Sequence, residues 1–303
     1  MVVLVTGANG QLGQAIQSIV GKYPSIDFVF CSSSELNITD KSNCETVFEK
    51  HKPQFCINAA AYTAVDKAEL EPEKAFAINV TGAQNLAEVC KTNDTILLHV
   101  STDFVFDAYF SEGKAFYDKD HKLPLKSDKG LLETDVPFPA GIYGLTKLQG
   151  EQAIESTWKK HIIIRTSWVY SQFANNFMKT MLRLASERTN LSVVNDQIGT
   201  PTNAVDLAEG LIKMIQFCQT TPIEVFGIYN FSNEGQCSWY DFAKKIFEIN
   251  SIKIDLQPIS SASYPTPAQR PAYSVLDKSK IKKAFGVAIK NWEESLKTVS
   301  FLI

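Results

Sequence analysis

Short apolar runs alternate with longer amphipathic segments through the first half of the chain, the runs falling at 2–6, 28–31, 54–58, 96–101 and 162–166. Runs of this length, rich in Val and Ile, suit strands buried on both faces, and the segments between them carry the wider spacing of helices. Strand, helix, strand in succession requires parallel pairing through right-handed crossovers. The pattern therefore predicts an α/β fold, a doubly wound parallel sheet whose ligands gather at the carboxyl ends of the strands.

Beyond residue 168 the pattern loosens. Helices are expected at 176–187 and 204–217, among shorter strands and turns broken by Pro201, Pro222, Pro258, Pro265 and Pro267. This predicts a smaller, irregular α/β lobe made of 168–200 and 218–303, packed on a first unit of 1–167 to which 201–217 returns. No Ser/Gly linker separates the two, so a cleft between them is the expected ligand site. Residues 108–142 form a long aromatic and charged stretch with weak periodicity, well beyond the roughly 12–15 residues usual for a structureless connection. It reads as a lid or as a disordered insert.

Composition narrows the partners. A net charge of -3, with Lys and Arg spread along the chain, leaves no basic stripe to hold a nucleic-acid backbone. The cysteines at 31, 44, 56, 90, 218 and 237 stand singly, without CxxC spacing, and read as buried thiols of a reducing compartment. With no signal-like start and no apolar run of about 18 residues, a cytoplasmic protein free of the membrane is expected.

The chemistry begins at Gly7-Ala8-Asn9-Gly10-Gln11-Leu12-Gly13, which follows the first strand and opens a helix. One glycine permits the tight turn, a second lets backbone approach a pyrophosphate, and a third packs helix on strand while the helix N-terminus faces the anion. This marks the sheet as a dinucleotide-binding Rossmann fold. Where NAD-specific sites carry an acidic residue for the ribose 2′-hydroxyl, this chain reads Cys31-Ser32-Ser33-Ser34. NADPH is the expected cofactor on that ground, with NADH possible. Asp40 stands either beside the adenine or as a helix N-cap.

Tyr143 and Lys147, four apart on an expected helix, share one face. An ammonium beside a phenol lowers its pKa and readies it for proton exchange with a carbonyl or hydroxyl. Ser101-Thr102-Asp103 ends the fourth strand, where a hydroxyl can bond a substrate oxygen; the plain alternative is a turn-forming cluster.

Together these residues resemble the extended short-chain dehydrogenase/reductase family, and more closely its dTDP-4-dehydrorhamnose reductases, over nearly the whole chain. The similarity also rests on Asn58-Ala59-Ala60-Ala61-Tyr62 through Glu69, Ser101 through Phe106, Arg165-Thr166-Ser167-Trp168-Val169-Tyr170, Asn195 through Thr202, and Arg270-Pro271. The resemblance implies a catalytic set of Thr102, Tyr143 and Lys147, and a cofactor site of Gly7, Asn9, Gly10, Gln11, Leu12, Gly13, Ser32, Asp40, Ala59, Ala60 and Ala61 with Tyr143 and Lys147. It implies a sugar-nucleotide pocket from Thr102, Asp103, Trp168, Asn176, Phe177, Gln197, Thr202 and Arg270, with Asn79 supporting the site. Arg270 suits a diphosphate, or tethers a loop. The activity implied is reduction of the 4-keto group of dTDP-4-dehydro-6-deoxy-L-mannose, with a homodimer as the assembly.

Two departures stand out: the family has a much shorter stretch at 108–142, and Ala15 replaces a Glu that some relatives use for magnesium between subunits, so no metal is expected. A dehydratase or epimerase on the same scaffold is the nearest rival, though Phe104 follows Asp103 where dehydratases carry an acidic pair. A cofactor-binding regulatory subunit without chemistry is the other, against which the intact Thr102, Tyr143 and Lys147 weigh.

Overall fold

A computed structural model describes residues 1–106, 130–221 and 225–299, with the backbone of the short strands Phe110–Ser111 and Lys114–Ala115 between them. Most of the stretch at 108–142, lid or insert, lies outside the described residues.

Six parallel strands make one sheet: β1 (Val2–Thr6), β2 (Asp27–Cys31), β3 (Phe55–Asn58), β4 (Ile96–Thr102), β5 (His161–Thr166) and β6 (Gly227–Asn230), in the order 6-5-4-3-1-2. Alternate side chains point to opposite faces, and here both faces are covered. Val3, Val5, Ile57, Leu98, Ile162 and Ile164 pack with helix α1 (Gln11–Ile19) on one side, while Leu4, Cys56, Leu97 and Ile163 pack on the other with α2 (Lys41–His51), α3 (Gly82–Thr92) and α4 (Ile142–Thr157). This double burial is why the central strands read as unbroken apolar runs.

A third cluster builds the smaller lobe. Helix α5 (Phe177–Glu187) contributes Met178 and Met181, and they meet Leu191 and Val193 of strand Asn190–Val194, which pairs in parallel with Asp255–Ile259. Helix α6 (Ala204–Thr220) lies between, with Leu207, Leu211 and Ile215 in the same cluster as α1. Helix α7 (Trp239–Ile249) closes the lobe through Phe242, Ile246 and Phe247.

The structure corrects one expected boundary. Residues 227–230 belong to the sheet rather than to the second lobe, pairing with β5 from Gly227↔Ile162 to Asn230↔Arg165. Ile281 and Phe285 likewise join the α1–α6 cluster. An edge strand of four residues is too short for its periodicity to be read. Five cysteines are buried and Cys218 is half-buried, all as free thiols. Among the described residues no helix is long and apolar enough to cross a membrane, and no cluster of His, Cys, Asp or Glu could hold a metal.

Candidate active site

The strand order reverses direction between β1 and β3, and a crevice opens there at the carboxyl ends. Gly7 leaves β1 with φ of +65°, and a Cβ there would stand 2.7 Å from the Ala60 nitrogen. A Cβ on Gly13 would stand 2.5 Å from the Gly7 oxygen. Both positions need glycine, one for its conformation and both for the close approach of backbone. Helix α1 starts from Gly10 with no side-chain cap, so its first N–H groups remain open to an anion. Gly10, Gln11 and Leu12 face a cleft of about 1330 Å³ together with Ala59 and Ala61. That exceeds the roughly 300–1,000 Å³ of a pocket for one small ligand, leaving room for a second. Asn9 is exposed, its carbonyl accepting from the Gln14 amide at 2.7 Å.

At the end of β2 the fold supplies a carboxylate that the run Cys31-Ser32-Ser33-Ser34 lacks. Glu35 turns back so that its Oε2 accepts from the Ser32 backbone N–H at 2.8 Å and the Ser32 hydroxyl at 2.7 Å. The Ser34 hydroxyl lies 2.9 Å from that of Ser32. Those bonds hold the Glu35 carboxyl below its ordinary pKa. The run itself carries no carboxylate, but a tight turn brings the Glu35 carboxylate back onto it within three residues. Asp40 caps α2, its Oδ1 accepting from the Asn43 N–H at 3.2 Å and from Ser42.

Thr102 at the end of β4 and Tyr143 and Lys147 on α4 converge on the same cleft. The Thr102 hydroxyl donates to Asp103 at 3.1 Å and accepts from the Phe104 N–H at 3.2 Å. Tyr143 packs edge-on against Phe104, ring centroids 5.5 Å apart. Its phenol is not lowered as the spacing suggested. Burial pushes it up to about 12, with Asp103 adding to the rise and a hydrogen bond with Thr102 opposing it. Lys147, 1% exposed, turns its amine to the Val100 carbonyl at 2.8 Å and to His99 Nε2 at 3.1 Å. Burial draws its pKa down to about 8, although Glu151 works the other way. A phenol that keeps its proton across the physiological range serves as an acid rather than a base.

Asn79 sits on a π-helical turn, Ala77–Thr81, from which its amide accepts from the Tyr62 N–H at 2.8 Å and donates to Thr146 at 3.1 Å. It ties the loop after β3 to α4 without entering the cleft. Gly150 allows that approach, since a Cβ there would fall 2.2 Å from the Asn79 oxygen.

The opposite wall is aromatic. Trp168 stacks on Trp239 with centroids 3.6 Å apart, and Phe177 leans on Trp239 at 4.6 Å. Trp168 holds a positive φ of 47°, unusual for a bulky residue, and its ring crosses Gly199, where a Cβ would stand 2.5 Å from ring carbon. Gly199→Ala is therefore expected to displace the Trp168 ring and raise KM for the sugar nucleotide by about fivefold, one aromatic contact being worth roughly 1 kcal/mol; steady-state kinetics and tryptophan fluorescence would show both effects.

The other expected residues divide. Gln197 lines the cleft and donates to the Ser261 hydroxyl at 2.9 Å. Arg270 lines it too, but its guanidinium is held by Asp66 at 2.6 and 2.7 Å and by the Ala268 carbonyl at 2.6 Å. Asn176 caps α5 and donates to Gln11 at 3.0 Å, joining lobe to nucleotide turn. Thr202 is wholly buried in a two-residue strand paired with Val169–Tyr170. Neither of the last two reaches the cleft surface.

Sequence reasoning missed Glu35, Trp239, His99 and the buried pair Arg165–Glu151. Glu151 carried a signal, standing four residues beyond Lys147 on the same helix face. Trp239 carried none, since only the tertiary fold brings it to Trp168.

Comparison with known proteins agrees with this geometry. The family described as RmlD substrate binding domain matches residues 1–301. A dTDP-4-dehydrorhamnose reductase of Aggregatibacter actinomycetemcomitans is 41% identical, the alignment covering 98% of this chain and 97% of that protein. The crystal structure of a dTDP-4-dehydrorhamnose reductase from Bacillus anthracis in complex with NADP superposes with a TM-score of 0.87 at 37% identity, over 98% of each chain. One from Clostridium acetobutylicum gives a TM-score of 0.87 at 36% identity, over 99% of this chain and 98% of that one. By fold, cleft and sequence, this chain belongs to the dTDP-4-dehydrorhamnose reductase family, the RmlD group of the extended short-chain dehydrogenases/reductases.

Proposed function

We infer that this protein reduces the 4-keto group of dTDP-4-dehydrorhamnose to give dTDP-L-rhamnose, using NADPH or NADH. The observation that carries this reading is the meeting of Thr102, Tyr143 and Lys147 in one cleft, between the glycine turn and the Trp168–Trp239 wall. The nicotinamide supplies a hydride. The glycine turn, with the open N-terminus of α1, would hold the pyrophosphate, and Ala59 to Ala61 would flank the dinucleotide. The lobe that carries Trp168, Phe177 and Gln197 would take the sugar nucleotide.

Tyr143 then donates its phenolic proton to the oxygen that becomes the 4-hydroxyl, while the Thr102 hydroxyl orients the carbonyl. As an ammonium, Lys147 would hold a ribose of the bound cofactor and steady the phenolate left on Tyr143. Arg270 would exchange Asp66 for the diphosphate, since carboxylate and phosphate both offer paired oxygens to its fork. Phe104, packed on Tyr143, fills the place where a dehydratase needs a second acid or base. Cytoplasmic work, supported by the singly placed free cysteines, and a homodimer, supported by the family resemblance alone, accompany this proposal.

The deciding experiment is oxidation of NADPH, and separately of NADH, with enzymatically generated dTDP-4-dehydrorhamnose. Rapid oxidation with dTDP-L-rhamnose as product supports the reading; cofactor binding without turnover ends it. Cofactor choice has its own test. Glu35 occupies donors that a 2′-phosphate could use, so Glu35→Gln is expected to shift the NADPH/NADH affinity ratio toward NADPH by roughly 3–10-fold at low salt, fading as salt screens the exposed charge. Titration calorimetry with each cofactor would reveal it, and an unmoved ratio would remove Glu35 from cofactor selection.

A further inference from the structure

A row of polar side chains crosses three adjacent strands directly beneath the cleft. Thr6 on β1 is the register partner of Asn58 on β3, and Asn58 is the partner of His99 on β4. The Thr6 hydroxyl donates to Asn58 Oδ1 at 2.7 Å, Asn58 Nδ2 meets His99 Nδ1 at 2.9 Å, and His99 Nε2 meets Lys147 Nζ at 3.1 Å. Thr6, Asn58, His99 and Lys147 are all buried.

The donors and acceptors of this row can be counted. Asn58 Oδ1 accepts from the Thr6 hydroxyl and from the Ala60 backbone N–H at 3.2 Å, a donor it shares with the Thr6 oxygen at 3.3 Å, and this orientation turns the amide NH₂ toward His99. His99 Nδ1 must then accept, so a neutral imidazole carries its proton on Nε2 and presents it to Lys147. A neutral amine satisfies this arrangement: its lone pair accepts from Nε2–H and one N–H donates to the Val100 carbonyl. An ammonium does not, because a third N–H would confront Nε2–H. Shifting the proton to Nδ1 only moves the conflict to the Asn58 amide.

We propose that His99, held by Asn58 as the Nε2–H tautomer, is a positioning residue that favours the neutral amine of Lys147 and thereby sets the upper pH limit of the reaction. The last step rests on the role given to Lys147 under the proposed function; the effect on the amine does not. The lowered pKa of Lys147 and the strong bias of buried His99 toward its neutral form agree with it. Burial works in the same direction, whereas none of the charged groups around the amine favours its neutral form. Glu151, one turn along α4, favours the ammonium and is itself engaged by Arg165 of β5. Tyr143 keeps its proton, Asp103 in the turn after β4 is bonded to Thr102, Asp66 across the cleft is paired with Arg270, and His161 of β5 bonds the Trp158 carbonyl.

Two variants test the proposal from different ends. In His99→Gln the amide oxygen can accept from an ammonium; in Asn58→Asp a carboxylate draws the imidazole proton to Nδ1 and leaves Nε2 as an acceptor. NMR titration of cofactor-free protein carrying ¹³Cε-labelled lysine, with the Lys147 signal identified by its loss in Lys147→Met, reads the amine directly. Both variants are expected to raise its midpoint by about one pH unit or more, a tenfold change in proton affinity. The alkaline limb of kcat/KM should move the same way. Midpoints equal to wild type in both variants, or a wild-type midpoint at that of a free lysine, would overturn the proposal. A moved midpoint in a protein without keto-sugar turnover would instead leave it standing and remove the proposed function.

Discussion

Tyr143→Phe is expected to lower keto-sugar reduction by about 10²–10⁴-fold, the usual contribution of a positioned proton donor, while NADPH binds as before. The substitution removes one oxygen and keeps the ring edge-on to Phe104, so α4 retains its packing. The lost hydroxyl is the group best placed to give up a proton in the cleft: Thr102 already donates to Asp103, and Lys147 turns toward Val100 and His99. Steady-state kinetics paired with fluorescence titration of NADPH separates the two effects. A variant that turns over within about threefold of wild type, well short of the expected 10²-fold loss, would take Tyr143 out of the proton transfer.

How far the site could be read in the sequence depends on the range of the contacts involved. Local features were legible: the turn Gly7 to Gly13 is defined by backbone conformation, and Tyr143 with Lys147 by helix spacing. Strands β1 to β5 were legible as apolar runs, even β2, which lies half-buried at one edge, whereas the four-residue β6 at the other edge was not. Features built by tertiary approach stayed hidden. Glu35 returns to Ser32 only because the chain reverses after β2, and Trp239 reaches Trp168 from another part of the lobe. The ionisation of Tyr143 and Lys147 shows the same divide. Spacing places them on one face of a helix, but burial sets the direction in which each is shifted, up for Tyr143 and down for Lys147.

Disrupting the Arg165–Glu151 pair should produce the largest loss of stability. The guanidinium holds the carboxylate through Nε at 3.1 and 3.2 Å and through one terminal nitrogen at 2.6 Å, with side-chain exposures of 2% and 0%. Ser101 adds a bond to the same carboxylate at 2.5 Å, and the guanidinium lies over the Phe106 ring at 4.8 Å. Two charges this deep are costly to desolvate, so removing one leaves the other uncompensated and costs about 3–5 kcal/mol. Arg165→Met is therefore expected to lower the melting temperature by roughly 6–15 °C, measured by calorimetry. Arg165→Met with Glu151→Leu should recover much of that loss, because two apolar side chains leave no orphaned charge. The pair also joins α4, which carries Tyr143 and Lys147, to β4 and β5, which end at Thr102 and Thr166. A doubly substituted protein that regains stability but remains slow would assign the pair to alignment of the catalytic helix. A single substitution that left the melting temperature within about 2 °C would contradict the cost expected of an unpaired buried charge.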